Sequence, residues 1–327
     1  MLTLELDGLL DEVGKHDAGT LGVQLPSGLR QRAREIAGFF KSHGYEVIFS
    51  GDPSYGACDV SDDVLASAGA DLLLHFGHSR MVGPSRIPVI YWHVRDDIDI
   101  AAVISGNIEK IRSMGKRVGL ATTIQHVHKL GGVKSLLEDA GLSVMLGEPI
   151  DRVSFPGQVL GCSFETMDAL DVDFFIYIGT GTFHPIGMSL STDREVLRCD
   201  PYTGTCENVT AERDKILKKR YAMINKARDK KDFAVLISTK KGQYRYKEAL
   251  KIKKLLNLNQ KSCVLIFAEE ISNHIIQDFD FDAFVVAACP RIAIDDAIHF
   301  DKPVLTIPEA MMMFDDIDYR FDEIHKI

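Results

Sequence analysis

The sequence predicts an α/β protein of three similar domains, each a small parallel β-sheet flanked by helices. Three observations lead there. Short apolar runs closed by Gly or Pro alternate with amphipathic stretches along the whole chain, the pattern of strands buried on both faces of a parallel sheet. The length, 327 residues, exceeds what one hydrophobic core usually organises. One segment also recurs: Asp71 to His78 (DLLLHFGH), Asp173 to Thr180 (DFFIYIGT) and Asp282 to Cys289 (DAFVVAAC) align as the third strand of successive thirds. The expected domains are 1–100, 101–206 and 207–327.

In the first third, TLGVQLP reads as a strand, Leu29 to His43 as a helix and YEVIFSGDP as the second strand. Val60 to Ala68 then reads as a helix, and DLLLHFGHS and VIYWHV as strands. The second third repeats the scheme with KRVGLATT, a helix near Val127 to Ala140, the turn GQVLGC, then DVDFFIYIGTG and EVLRCD. The last third runs DFAVLIST, a helix over Tyr244 to Leu256, SCVLIFAE, FDAFVVAACP and PVLTIP. Between the last two thirds, Arg213 to Lys231 carries nine basic residues, with Ile216, Leu217, Tyr221 and Ile224 at helical spacing. It reads as a solvated amphipathic helix joining domains, whose face could also dock a protein that binds RNA.

Composition narrows the function. The net charge of −9 argues against a general nucleic-acid binder, so no direct nucleic-acid contact is expected. No apolar run reaches membrane-spanning length, and the acidic start MLTLELDGLLDE lacks the basic region of a signal peptide. A cytoplasmic location without membrane contact follows as the expectation.

The cysteines carry the chemistry. Cys58 in SGDPSYGACD, Cys162 in GQVLGCSFE and Cys289 in FVVAACPR each end an apolar run in a Gly- or Pro-rich turn, at a similar place in each third. They lie too far apart for a local CxxC knuckle. If the thirds are similar domains, however, the thiols can converge at the carboxyl ends of parallel strands, where open α/β sheets present ligands. In the register of the repeat, Cys289 takes the place of His78 and Thr180, whereas Cys58 and Cys162 follow the second strand. Three thiolates suit a central cubane iron–sulfur cluster, [4Fe–4S], whose fourth iron lacks a protein ligand and can activate a small molecule. Zinc, or no metal, is the alternative. Cys199, Cys206 and Cys263 read as free surface or core thiols, since six cysteines without close-set pairs make no disulfide framework.

Other candidates stand at strand ends. Gly51, Asp52, Pro53 and Gly56 form a turn whose backbone N–H groups could approach an anion, or which merely aims Cys58. His78 and Ser79 close the third strand of the first third. Gln125, Gly179, Thr180, Gly181, Thr182 and His184 are polar or Gly-rich groups that could contact a cofactor or simply form turns. Lys240, Gln243 and Arg291 could neutralise a carboxylate or a reduced cluster, and Asp295 and Asp296 could cap the following helix.

Read together and in order, QLPSGL, SGDPSYGACD, HFGHS, TTIQHVH, GQVLGC, STKKGQ, ACPRIAIDD and KPVLTIPE closely resemble the archaeal Dph2 family of diphthamide biosynthesis enzymes, over nearly the whole chain. The resemblance implies a three-domain homodimer whose Cys58, Cys162 and Cys289 hold a [4Fe–4S] cluster. It implies a radical cleavage of S-adenosylmethionine as substrate, fed by an external electron donor, with transfer of the 3-amino-3-carboxypropyl group to a histidine of translation elongation factor 2. That is the first step of diphthamide biosynthesis, by a 2-(3-amino-3-carboxypropyl)histidine synthase. The S-adenosylmethionine contacts are then expected among Gly51, Asp52, Pro53, His78, Ser79, Gln125, Gly179, Thr180, Gly181, Gln243 and Arg291, with no catalytic side chain assigned. The CxxxCxxC loop of ordinary radical enzymes is absent, so their binding geometry is not expected. Two rivals remain: a three-domain [4Fe–4S] hydro-lyase resembling quinolinate synthase, and a noncatalytic cluster-bearing subunit.

Overall fold

The computed structural model describes residues 2–150, 152–296 and 300–325. It is mixed α/β, with three mostly parallel sheets flanked by helices and a short antiparallel pair, Leu2–Thr3 with Arg95–Asp96. In the first sheet the order is Glu46–Phe49, Thr20–Gln24, Leu72–Phe76, Val89–Trp92, all parallel. The second runs Ser143–Met145, Arg117–Thr122, Phe174–Ile178, Glu195–Asp200, and is closed by the antiparallel Thr205–Asn208. The third runs Ser262–Ala268, Asp232–Ser238, Ala283–Ala287, Val304–Thr306, again parallel. Each sheet therefore places its second strand at the edge, then the first, third and fourth. The closing strand Thr205–Asn208 crosses the expected boundary at 206.

Continuous apolar runs become strands because both faces are covered. In the third sheet Phe233, Val235 and Ile237 pack with Ala249, Ile252 and Leu256 of the helix Tyr246–Leu258, while Ala234 and Leu236 pack with Ile276 and Ala293 on the other side. The second sheet divides likewise, Leu120, Ile176 and Ile178 to one core and Phe175 and Tyr177 to another. Each fully buried Phe, Ile or Leu contributes about 1.5–3 kcal/mol. The recurring aspartate is structural in all three sheets. Asp71 accepts from the N–H groups of Gly19 and Thr20, Asp173 from Lys116 and Arg117, and Asp282 from Lys231 and Asp232. Each thereby ties the start of the third strand to the start of the first.

Two expectations need correction. The basic helix forms as Thr210–Arg228, but Arg220 in it is fully buried rather than solvated. Its guanidinium bonds both carboxylate oxygens of Glu309 at 2.7 and 2.5 Å and the carbonyls of Ala293 and Val304. The second correction concerns Cys199 and Cys206, which face each other across antiparallel strands and are joined by a disulfide. Cross-strand register, invisible in the linear spacing, brings them together; Cys263 is a buried free thiol. Elsewhere the helix expected from Leu29 begins as a tight 3₁₀ turn, Ser27–Arg32, and continues as Ala33–Ser42. Among the described residues no helix is long and apolar enough to cross a membrane.

Candidate functional site

The carboxyl ends of the three sheets surround a cavity of about 440 Å³. Its walls come from the loops after the adjacent first and third strands, where the strand order reverses direction and an open sheet leaves a crevice. His78 and Ser79 follow the third strand of the first sheet; Thr123 to Gln125 follow the first strand of the second sheet, and Phe183 and His184 its third. The third sheet supplies Lys240 and Gln243 after its first strand and Cys289, Arg291 and Ile292 after its third. Longer excursions after the second strands bring in Cys58 and Cys162.

The three expected cysteines thus line one cavity, each from a different sheet, and all are free. Burial raises all three thiol pKa values, that of Cys162 to about 11, and the charges of Cys162 and Cys58 push Cys289 up further. Mutual repulsion in a desolvated pocket disfavours three bare thiolates, whereas a bound metal centre deprotonates its thiols outright. Among the described residues no three His, Cys, Asp or Glu side chains close on a single metal ion. Three thiols from three separate sheets match a cubane, in which each thiolate takes its own iron. Two buried arginines with unpartnered N–H groups, Arg152 and Arg291, supply positive charge beside the thiols. The donor set therefore fits a three-cysteine [4Fe–4S] cluster.

Local packing fixes these ligands. Gly242 donates its N–H to the Cys58 carbonyl at 3.0 Å, and a Cβ there would lie 2.4 Å from the Cys58 Cα, so only glycine permits the approach. The next residue, Gln243, donates its amide to the Cys58 Sγ at 3.5 Å, and Arg152 donates to the Gly242 carbonyl at 3.0 Å. Cys162 is held from the far end of the chain, its carbonyl accepting from Ile324 N at 2.8 Å. Gly161 before it packs on Phe183, where a Cβ would come within 2.0 Å of the ring. Cys289 stands at the N-cap of the short helix Pro290–Asp295, whose Pro is tolerated in the first turn.

A buried polar chain runs from the Cys58 loop to the cavity wall. Gln24 donates to the Asp59 carbonyl at 2.7 Å and accepts from Ser61 N at 3.1 Å, which fixes its amide orientation. Its oxygen also lies 2.9 Å from His75 Nδ1, which must therefore be the protonated nitrogen. His75 Nε2, left as acceptor, lies 2.9 Å from His78 Nδ1, so that nitrogen donates and His78 keeps an Nε2 lone pair. Burial holds both rings neutral by lowering their pKa values to about 3 and about 4, with His78 pushing His75 further down.

Of the other expected contacts, Ser79 accepts from Gln158 at 2.9 Å, and Gln125 lines the cavity while reaching the Gly77 carbonyl. Arg291 is clamped by Asp295 at 2.6 and 2.9 Å and stacks over Phe183 at 3.9 Å. Asp295 is thus an ion-pair partner of Arg291 within its own helix, and the helix start it was expected to cap lies outside the described residues. Lys240 is paired with Asp59 and Glu270, both at 2.8 Å. Gly51, Asp52 and Pro53 are exposed and stand outside the cavity, the Asp52 carbonyl being taken by the Arg30 guanidinium. Gly179, Thr180 and Gly181 also stand outside, since the lining takes up the chain again at Phe183. Sequence reasoning missed Arg152, Gln158, Gln24 and His75. Gln24 and His75 sit inside the motifs QLPSGL and HFGHS, while nothing around Arg152 marks it.

Known proteins resemble this chain along nearly its whole length. Residues 25–324 match the family described as "Putative diphthamide synthesis protein". The chain is 38% identical to the 2-(3-amino-3-carboxypropyl)histidine synthase of Pyrococcus horikoshii, over 97% of this chain and 92% of that one. It is 32% identical to the enzyme of the same name from Methanocaldococcus jannaschii, over 92% and 86%. The crystal structure of Dph2 from Pyrococcus horikoshii with a 4Fe-4S cluster superposes with a TM-score of 0.95 at 36% identity, covering 100% of this chain and 95% of that one. The chain belongs to the diphthamide synthesis protein family, whose curated members here are named as synthases, enzymes of the transferase class.

Proposed function

We propose that this chain is a 2-(3-amino-3-carboxypropyl)histidine synthase that moves the 3-amino-3-carboxypropyl group of S-adenosylmethionine to a histidine of translation elongation factor 2. One observation carries the reading: three free cysteines from three different sheets, Cys58 and Cys162 buried and Cys289 partly so, line a single cavity. The names of the relatives and the cluster in the Pyrococcus horikoshii Dph2 structure support it. Each sheet with its helices acts as one of three similar domains around the cavity, and the protein works as a cytoplasmic homodimer with an external electron donor.

Cys58, Cys162 and Cys289 would hold a [4Fe–4S] cluster, which when bound would supply one electron to the sulfonium. The chain's own residues prepare that event. Cavity residues Val159, Leu160, Ile271 and Ile292 exclude water from the reacting end. His78, neutral and with a free Nε2 lone pair, offers the cationic substrate an acceptor without a repelling charge. Arg291 lines the cavity two residues after Cys289 and supplies positive charge for the methionine carboxylate. The Gly242 contact and the Gln243 hydrogen bond hold Cys58 in place.

Anaerobic purification followed by iron and sulfide analysis tests the assignment. Cys58→Ala, Cys162→Ala and Cys289→Ala should each abolish a stable four-iron cluster, while Cys263→Ala keeps it. Full iron content in Cys289→Ala would overturn the ligand set.

A further inference from the structure

We propose that Arg152 tunes the redox potential of the site: its two unpartnered guanidinium positions donate N–H groups to sulfur atoms of the cluster, and its charge raises the cluster's reduction potential. The inference rests on the [4Fe–4S] reading above.

Arg152 is 3% exposed. Its Nη2 donates to the Gly242 carbonyl, but Nε and Nη1 are buried with no partner. A guanidinium carries five donors and stays charged at any pH a protein survives. Burying one against a lone backbone carbonyl is among the costliest arrangements a fold can contain unless an acceptor is present. Nearby cations differ in this respect. Arg291 is matched by Asp295, and Lys240 by Asp59 and Glu270, whereas Arg152 is bonded to a carbonyl alone.

The position of Arg152 identifies the acceptor. It grips the carbonyl of Gly242, whose N–H holds the Cys58 carbonyl. The unpartnered donors thus stand at the loop that holds the Cys58 ligand. Soft sulfur is the acceptor that this ligand brings there. One-electron reduction adds a negative charge to a cluster, and N–H···S bonds and adjacent positive charge stabilise the reduced form.

The test compares full-length wild type with Arg152→Met, Arg152→Gln and Arg152→Lys, reconstituted anaerobically and checked for iron and sulfide. EPR-monitored potentiometric titration is the readout. At a fixed potential the reduced-to-oxidised ratio should fall at least tenfold in Arg152→Met, a shift of about 59 mV to lower potential for one electron. Arg152→Gln should fall with it, and Arg152→Lys should lie nearer wild type. Arg152→Met with a full cluster and an unchanged potential would overturn the proposal. So would folded variants that all lose the cluster, which would make Arg152 a clamp for Gly242 only. A wild type that binds no iron would instead sink the cluster reading itself, and would be seen before any variant is compared.

Discussion

Gly242 shows how much of this site depends on a single missing atom. Its Cα sits against Cys58 so closely that a methyl group would meet the Cys58 Cα at 2.4 Å and Cβ at 2.6 Å. Neither neighbour is the flexible end of a side chain, so the loop Lys241–Gln243 must retreat. Gly242→Ala should therefore cost about 1–3 kcal/mol through overpacking, read as a lower urea midpoint, and should break the Gln243 hydrogen bond to Cys58. An unchanged midpoint and iron content would contradict the account. In the sequence this glycine is legible only as part of STKKGQ, a turn before a helix. The three cysteines were legible because strand ends can be read from apolar runs. Close approach between residues almost two hundred positions apart cannot be read that way, and neither can a buried cation such as Arg152 in an unmarked turn.

At the scale of elements, the aspartate that begins each third strand is the most repeated device in the chain. Hydrogen bonds from two backbone N–H groups, with the Arg117 side chain added at Asp173, hold these carboxyls below the usual 3.8. A depressed folded pKa adds stability that is fully present above the unfolded value near 3.8 and is lost as pH falls through the folded one. Asp173→Asn should thus lower the urea midpoint at neutral pH, and the gap from wild type should narrow at about pH 3; a constant gap would contradict the assignment. The strands and most helices were legible because period and punctuation encode them. Arg220 was not, because helical periodicity shows which face is apolar and not that one charged residue meets Glu309 in the core. The Cys199–Cys206 bridge was missed for a related reason, since only the antiparallel register places the two opposite each other. A loop this short contributes about 2–3 kcal/mol. Thiol titration of the unfolded, metal-free chain without reductant should count Cys58, Cys162, Cys263 and Cys289 but neither bridged residue; reactivity of all six would refute the bridge.

The whole molecule does what no single sheet can. One open parallel sheet offers one crevice at its strand reversal; three such sheets facing a common cavity offer three thiols, a neutral histidine and the Arg291 guanidinium at once. The internal repeat made similar sheets legible in the sequence, and the similar placement of the cysteines suggested that they meet. How the loops after the second strands fold back to the centre was not legible, because Tyr55 to Cys58 and Gln158 to Cys162 owe their paths to packing against other sheets. The central claim is that this cavity directs electron transfer to the bond between sulfur and the methionine γ-carbon. Its most direct test is to incubate the reduced, anaerobic protein with S-adenosylmethionine, with and without elongation factor 2, and resolve the nucleoside products by chromatography. The account predicts methylthioadenosine; 5′-deoxyadenosine as the main product, or no cleavage by a protein with a confirmed cluster, would contradict it.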